Sequence, residues 1–239
     1  MDKFDKFEKL DRKVEETLHE VETMDRRKFY KNSFAYAAVW ALLLNLLIET
    51  LGRFPTAGIF GGLTFMVHSP LVFLYNALIL YATLVLASLS KRRVFFFTII
   101  SIFWLGIGII NGVILTQRMT PFTVKDLSNL NDGLTIVTNY LSNYEIIGAI
   151  AAGLIAVGLL VLLFIKGPQK RDGVKRKRNL VAVLLVIAFT FLSSSFVIRT
   201  GIVQTFFGNL AYAYRDYGVV YCFVNTWLNT GISKPDGYS

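Results

Sequence analysis

Residues 149 to 165 read AIAAGLIAVGLLVLLFI, seventeen positions without one polar side chain. A helix buried in a soluble core seldom stays apolar around its whole circumference for that long, whereas a helix in lipid must. Four further apolar runs of similar length share the chain, and the five together cover about 33–51, 70–89, 94–115, 145–165 and 180–198. Each is long enough to cross ~30 Å of hydrocarbon at about 1.5 Å per residue. The expected fold class is therefore all-α and integral to a membrane. Gly148, Ala152, Ala156, Gly153 and Val157 give the fourth run a small-residue stripe suited to close helix packing.

Composition agrees. Of 239 residues 54% are hydrophobic and 14% aromatic, and the mean hydropathy is +0.52, too apolar for an ordinary soluble domain. The formal charge of +9 would suggest a nucleic-acid partner if it were spread over a surface, but it comes in blocks between apolar runs, so no nucleic acid is implied. Cys222 is the one cysteine, which excludes an intrachain disulfide and a four-cysteine metal site. His19 and His68 fall in no metal-binding spacing. No catalytic or metal constellation is expected.

The basic blocks orient the spans. Lys and Arg accumulate in cytoplasmic loops. Residues 1–32, the turn 91–93 and the stretch 166–179 hold 19 of the 25 basic residues, and the alternate loops hold the other 6. The expectation is an N-terminus inside and, with five crossings, a C-terminus outside. The charged start shows no cleavable signal, so the first apolar run is read as a retained anchor. Residues 1–32 form a cytoplasmic segment in which Phe4, Phe7, Val14, Leu18 and Val21 recur at helical spacing, and 199–239 form an extracellular linker.

Polar residues inside the spans need an account, because charge in hydrocarbon is expensive. Asn45, Glu49 and Arg53 stand at i, i+4 and i+8 on one helix face. They form either a polar ladder that helps to hold a lipid headgroup, or a helix-end ion pair with an interhelical hydrogen bond from Asn45. Asn76 and Asn111 lie within the second and third spans, where such amides serve as glue between helices. His68 opens the second span, as an interfacial anchor or an acid-base group. In the loop from 116 to 144, Pro121 ends the third span, and Thr123 followed by Asp126 resembles a helix N-cap with its third-position acid. Val124, Leu127, Leu130, Leu134, Ile136 and Val137 then give an amphipathic helix lying on the outer face. Arg118 and Lys125 there either bind lipid phosphate or snorkel to passing headgroups.

Three runs carry a resemblance: N-L-L-I-E-T-L-G-R at 45–53, H-S-P-L-V-F-L-Y-N at 68–76, and G-I-I-N-G-V-I-L-T-Q-R-M-T-P-F-T-V-K-D-L at 108–127. Together with G-I-S-K-P-D-G-Y-S at 231–239, they resemble the membrane domain of the lipoteichoic acid synthase family of Gram-positive bacteria. The resemblance implies an enzyme with five membrane helices ahead of an extracellular sulfatase-like domain. That domain would use a threonine nucleophile and a divalent metal, manganese in many members, to move glycerol phosphate from phosphatidylglycerol to a polymer. Its nucleophile and metal ligands would lie beyond Ser239, so no cofactor is expected within these residues. On this reading Arg53, Arg118 and Lys125 contact the lipid headgroup, while Asn45, Glu49, His68, Asn76, Asn111, Thr120 and Asp126 support them. The expected partners are phosphatidylglycerol and the sulfatase-like domain, in cis or in trans. The alternative is a non-catalytic polytopic protein that binds lipid or a partner protein. A transporter is less favoured, because Glu49 is the one plausible intramembrane acid and no paired broken helices are visible.

Overall fold

The computed structural model describes residues 33–128, 157–167 and 176–229, and among them the chain is helical without a strand. The first apolar run becomes α1 (Ser33–Ala57), six residues longer than its hydropathy suggests. A 3-10 turn at Gly58–Phe60 then leads into α2 (Gly61–His68). Gly58 has φ +65°, and this left-handed residue turns the chain so sharply that Gly62 sits on the Leu46 to Thr50 stretch of α1. The second run is α3 (Pro70–Leu84), started by a proline whose missing N–H costs nothing in a first turn, and extended by a 3-10 stretch at Val85–Leu89. The third is α4 (Arg93–Gln117), followed by the short α5 (Val124–Ser128). Next come α6 (Val157–Lys166), α7 (Arg176–Arg199), α8 (Leu210–Tyr217) and α9 (Val219–Leu228).

Four helical stretches among the described residues are long and apolar enough to cross a membrane: Ser33–His68, Pro70–Leu89, Arg93–Thr116 and Lys177–Arg199. They account for four of the five expected spans. Of the remaining one, 157–165 fall in α6, while 145–156 and most of the small-residue stripe lie outside the described residues. The amphipathic start (1–32), the rest of the surface helix (129–144) and the segment 231–239 also lie outside them.

α1 and α4 form the closest pair. Gly108 and Gly112, one helical turn apart on α4, face Ile48 and Leu51, and a Cβ on Gly112 would lie 2.4 Å from the Leu51 carbonyl oxygen. Such small-residue contacts bring helix backbones together where water exclusion supplies no driving force. Side-chain hydrogen bonds then tie the spans in pairs: Trp40 to Ser101 at 2.7 Å, Trp104 to Thr83 at 3.1 Å, and the Tyr75 and Ser194 hydroxyls at 2.6 Å.

The contacts also sort the loops. Arg93 donates to the Ser33 hydroxyl and Asn179 to the Ser88 carbonyl, so the start of α1, the 90–93 turn and the start of α7 share one end of the bundle. Two basic clusters, Lys91 to Arg93 and Arg176 to Arg178, therefore gather at that end. The other end carries Arg53, Arg118 and the segment after Arg199.

That segment departs from the expected linker. Between Thr200 and Asn229 the chain folds back onto the spans as α8 and α9, burying Val203, Ala213, Tyr214, Val219, Val220, Tyr221, Cys222 and Phe223. The physical reason is its aromatic content: Phe207, Tyr217 and Tyr221 pack on one another, Tyr221 reaches Tyr75 of α3, and Phe223 packs with Trp104 and Phe122. We call residues 200–229 the cap.

Candidate functional site

The polar residues of the spans converge on the junction between α8 and α9. A helix leaves its last carbonyls and first N–H groups without internal partners, and both kinds meet where Gly218 separates the two helices. Glu49, fully buried, accepts a hydrogen bond from the Val219 N–H through Oε1 at 2.7 Å. Its Oε2 accepts from Arg53 Nε, also at 2.7 Å. Arg53 in turn donates through Nη1 to the Arg215 carbonyl at 2.8 Å and through Nη2 to the Tyr214 carbonyl at 3.0 Å. Its guanidinium lies 4.0 Å over the Phe65 ring. The carboxylate thus sits at the positive start of α9 and the guanidinium at the negative end of α8, each charge on the helix terminus that favours it.

Asn76, fully buried, completes the clamp from α3. Its Oδ1 accepts from the Tyr221 N–H at 2.8 Å, and its Nδ2 donates to the carbonyls of Tyr217 at 2.9 Å and Val72 at 2.8 Å. Gly218 has φ +85° and ψ 159°, a conformation open essentially to glycine alone. A Cβ there would lie 2.8 Å from both Asn76 Oδ1 and Glu49 Oε1. Sequence and site agree at this residue: only glycine lets the two side chains reach the helix ends.

Asn111 joins the clamp to the loop after α4. It donates to the Gly52 carbonyl at 3.0 Å and accepts from the Phe122 N–H at 2.9 Å. The Phe122 carbonyl accepts from the Tyr214 hydroxyl of the cap at 2.6 Å. Asn45 lies deeper, donating to the Phe73 carbonyl at 3.0 Å, and its Oδ1 has no partner among the described residues.

Arg118 and Asp126 make a separate latch. Arg118 donates to the Thr120 carbonyl at 3.0 Å, the Pro121 carbonyl at 3.3 Å and Asp126 Oδ1 at 2.7 Å. Asp126 Oδ2 accepts from the Thr123 N–H at 2.7 Å and its hydroxyl at 3.0 Å, the back-reaching half of a capping box. Partial burial pushes the Asp126 carboxyl up, but the hydrogen bonds from Arg118 and Thr123 outweigh it and hold the group below the usual carboxylate range. Arg118 keeps 43% of its side chain exposed, and Lys125 is exposed on α5. His68 donates from Nδ1 to the Thr64 carbonyl at 2.9 Å, one turn back on α2, which spends that nitrogen locally.

The structure therefore separates the three bases expected at a headgroup. Arg53 and Arg118 are each engaged with a carboxylate and two carbonyls of the protein, but Arg53 keeps 12% of its side chain exposed and Arg118 43%, and Lys125 is exposed at the same end of the bundle. Asn45, Glu49, Asn76 and Asn111 hold helices together; Thr120 offers its carbonyl to Arg118. What the sequence did not disclose is the other half of each contact: Tyr214, Arg215, Gly218 and Val219. Asn209 and Gly218 were the available signals, since Asn209 caps α8 by accepting from the Ala211 and Tyr212 N–H groups, and Gly218 ends it.

Chemically the junction is a fastening. Its charges are neutralised by each other and by helix termini. Among the described residues no three of His, Cys, Asp and Glu meet. Searches among family models, curated proteins and solved structures match nothing to this chain.

Proposed function

We propose that this chain is the membrane domain of a lipoteichoic-acid-synthase-like phosphoglycerol transferase, seating an extracellular sulfatase-like domain and helping to present phosphatidylglycerol to it. It would lie in a bacterial cell membrane with five spans, its N-terminus in the cytoplasm and its C-terminus outside. The observation that carries the reading is the clamp of Glu49, Arg53 and Asn76 on the ends of α8 and α9. A chain that continues past Asn229 leaves from a cap fixed on the spans, which suits a protein that must hold a second domain at a set height above lipid. The gathering of two basic clusters at the opposite end supports the orientation. On this reading Arg118 and Lys125 meet the lipid phosphate, and Arg53 acts indirectly by fixing the cap.

The test has two parts. A reporter that is active only outside the membrane, fused after Ser239, should be active; activity confined to a cytoplasmic reporter would end the topology. Coding DNA past the Ser239 codon, or a neighbouring frame, should encode a sulfatase-like domain. A stop codon with no such frame nearby would favour a lipid- or partner-binding protein without a catalytic half.

A further inference from the structure

At the end of the bundle opposite the cap, a groove of about 460 Å³ opens between α1 and α4. Ser33 and Arg93 stand at one end, Trp40 and Leu105 toward the other, with Phe97 and Thr98 between. Three polar side chains along its length, Trp40, Ser101 and Thr98, are already occupied. The Trp40 indole donates to the Ser101 hydroxyl, Ser101 donates to the Phe97 carbonyl at 2.7 Å, and Thr98 donates to the Val94 carbonyl at 2.9 Å. The rest of the lining is apolar apart from Tyr36 and Ser33, with one cation, Arg93, at its end. Arg93 donates to the neutral Ser33 hydroxyl, and none of the ion pairs among the described residues involves it.

From Arg93 to Leu105 is twelve residues, about 18 Å along a helix at ~1.5 Å per residue, close to the ~15 Å of one leaflet's hydrocarbon. We propose that this groove binds an anionic glycerophospholipid of the leaflet on the basic side, its phosphate on Arg93 and one acyl chain along Trp40, Thr98 and Leu105. Charge complementarity selects the occupant. A zwitterionic lipid brings its own cation to the phosphate, whereas the phosphate of an anionic lipid is left to Arg93, the one base lining the groove. The site is distinct from Arg118 and Lys125, which lie at the other end, and it does not depend on the function proposed above.

Trp40 makes the site readable. The full chain carrying Trp104→Phe and Trp227→Phe keeps Trp40 as its one tryptophan and is reconstituted into phosphatidylcholine vesicles. Acyl-brominated phosphatidylglycerol or acyl-brominated phosphatidylcholine is then titrated in, and quenching of Trp40 is followed. The expected result is an apparent affinity about fivefold higher for the anionic lipid, the factor one basic side chain contributes at an anionic surface. Arg93→Gln should abolish the preference and Arg93→Lys should retain part of it. Thr98→Phe, which fills the groove and leaves Arg93 in place, should reduce quenching by both lipids. Equal quenching by the two lipids, a preference that survives Arg93→Gln in folded protein, or no quenching by either lipid because another segment of the chain covers the groove, would each overturn the proposal.

Discussion

Glu49 and Arg53, one turn apart on α1, each hold the end of a different helix: Glu49 receives the first N–H of α9, and Arg53 donates to two of the last carbonyls of α8. Their ion pair is at once the link between the two grips and the reason a carboxylate can sit fully buried in an apolar bundle.

Removing one partner should therefore cost more than an ion pair at a surface. Glu49→Ala leaves the largely covered Arg53 guanidinium without its carboxylate and the Val219 N–H unpaired, and a loss of about 3 kcal/mol, the low end for a broken buried pair, is expected. Glu49→Gln keeps an acceptor for Val219 and should lose less. Denaturant titration in mixed micelles measures both; equal stability of Glu49→Ala and wild type would remove the clamp from the account.

Two left-handed glycines give a matched comparison. Gly58→Ala meets open space, so only backbone strain of about 1 to 2 kcal/mol is expected. Gly218→Ala adds contacts at 2.8 Å with Asn76 and Glu49 to a strained backbone, and should destabilise clearly more. Thermal unfolding of the two variants under one condition gives the order, and a reversed order would count against the packing at Gly218.

These residues also show what was legible in the sequence. Hydropathy gives the spans because lipid demands unbroken apolar helices, and Asn45, Glu49, Asn76 and Asn111 stand out within them for the same reason. Asn76 and Asn111 join helices as their place in the spans implies, but their partners could not be read, because these are backbone groups far along the chain, such as the Val219 N–H for Glu49. The cap was illegible for a related reason. α8 has 8 residues and α9 has 10, too short to span, and although each is amphipathic, nothing local says which surface its apolar face covers. The pairing of Arg53 with Glu49 was one of two readings open in the sequence, but its other acceptors, two carbonyls at the end of α8, leave no mark there.

The latch after α4 should respond to acid. Because the Asp126 carboxyl titrates lower in the folded chain than in the unfolded one, its contribution is present above the unfolded value, about 3.9, and is lost as pH falls through the folded value. Amide exchange at Thr123 should stay slow down to about pH 4 and accelerate below it, beyond the intrinsic pH dependence of exchange. In Asp126→Asn the protection should be lower with no such step. A step near pH 6 would point to a different group.

Arg118 carries both the latch and the proposed lipid contact. A charged hydrogen bond contributes about 1.5 to 3 kcal/mol, and the planar fork of arginine is not reproduced by lysine. Arg118→Lys should weaken phosphatidylglycerol binding about ten- to a hundredfold in native mass spectrometry. Lys234→Gln, which alters a base of the 231–239 segment, should not, and equal affinity of Arg118→Lys and wild type would leave Arg118 with the latch alone.

The seating of residues 200–229 on the spans is tested most directly at Cys222, the chain's one cysteine, fully buried in α9 three residues after Val219. Membranes carrying the protein are treated with a membrane-permeant maleimide, and labelling is timed against the same protein unfolded in dodecyl sulfate. Tyr212→Cys in a Cys222→Ala background, at an exposed position on α8, reports reagent access at that end. The clamp predicts that Cys222 stays protected in the wild type while Tyr212→Cys labels freely, and that Glu49→Ala speeds Cys222 labelling at least about tenfold by populating the open cap. Labelling of wild-type Cys222 at the rate of the unfolded chain would contradict it.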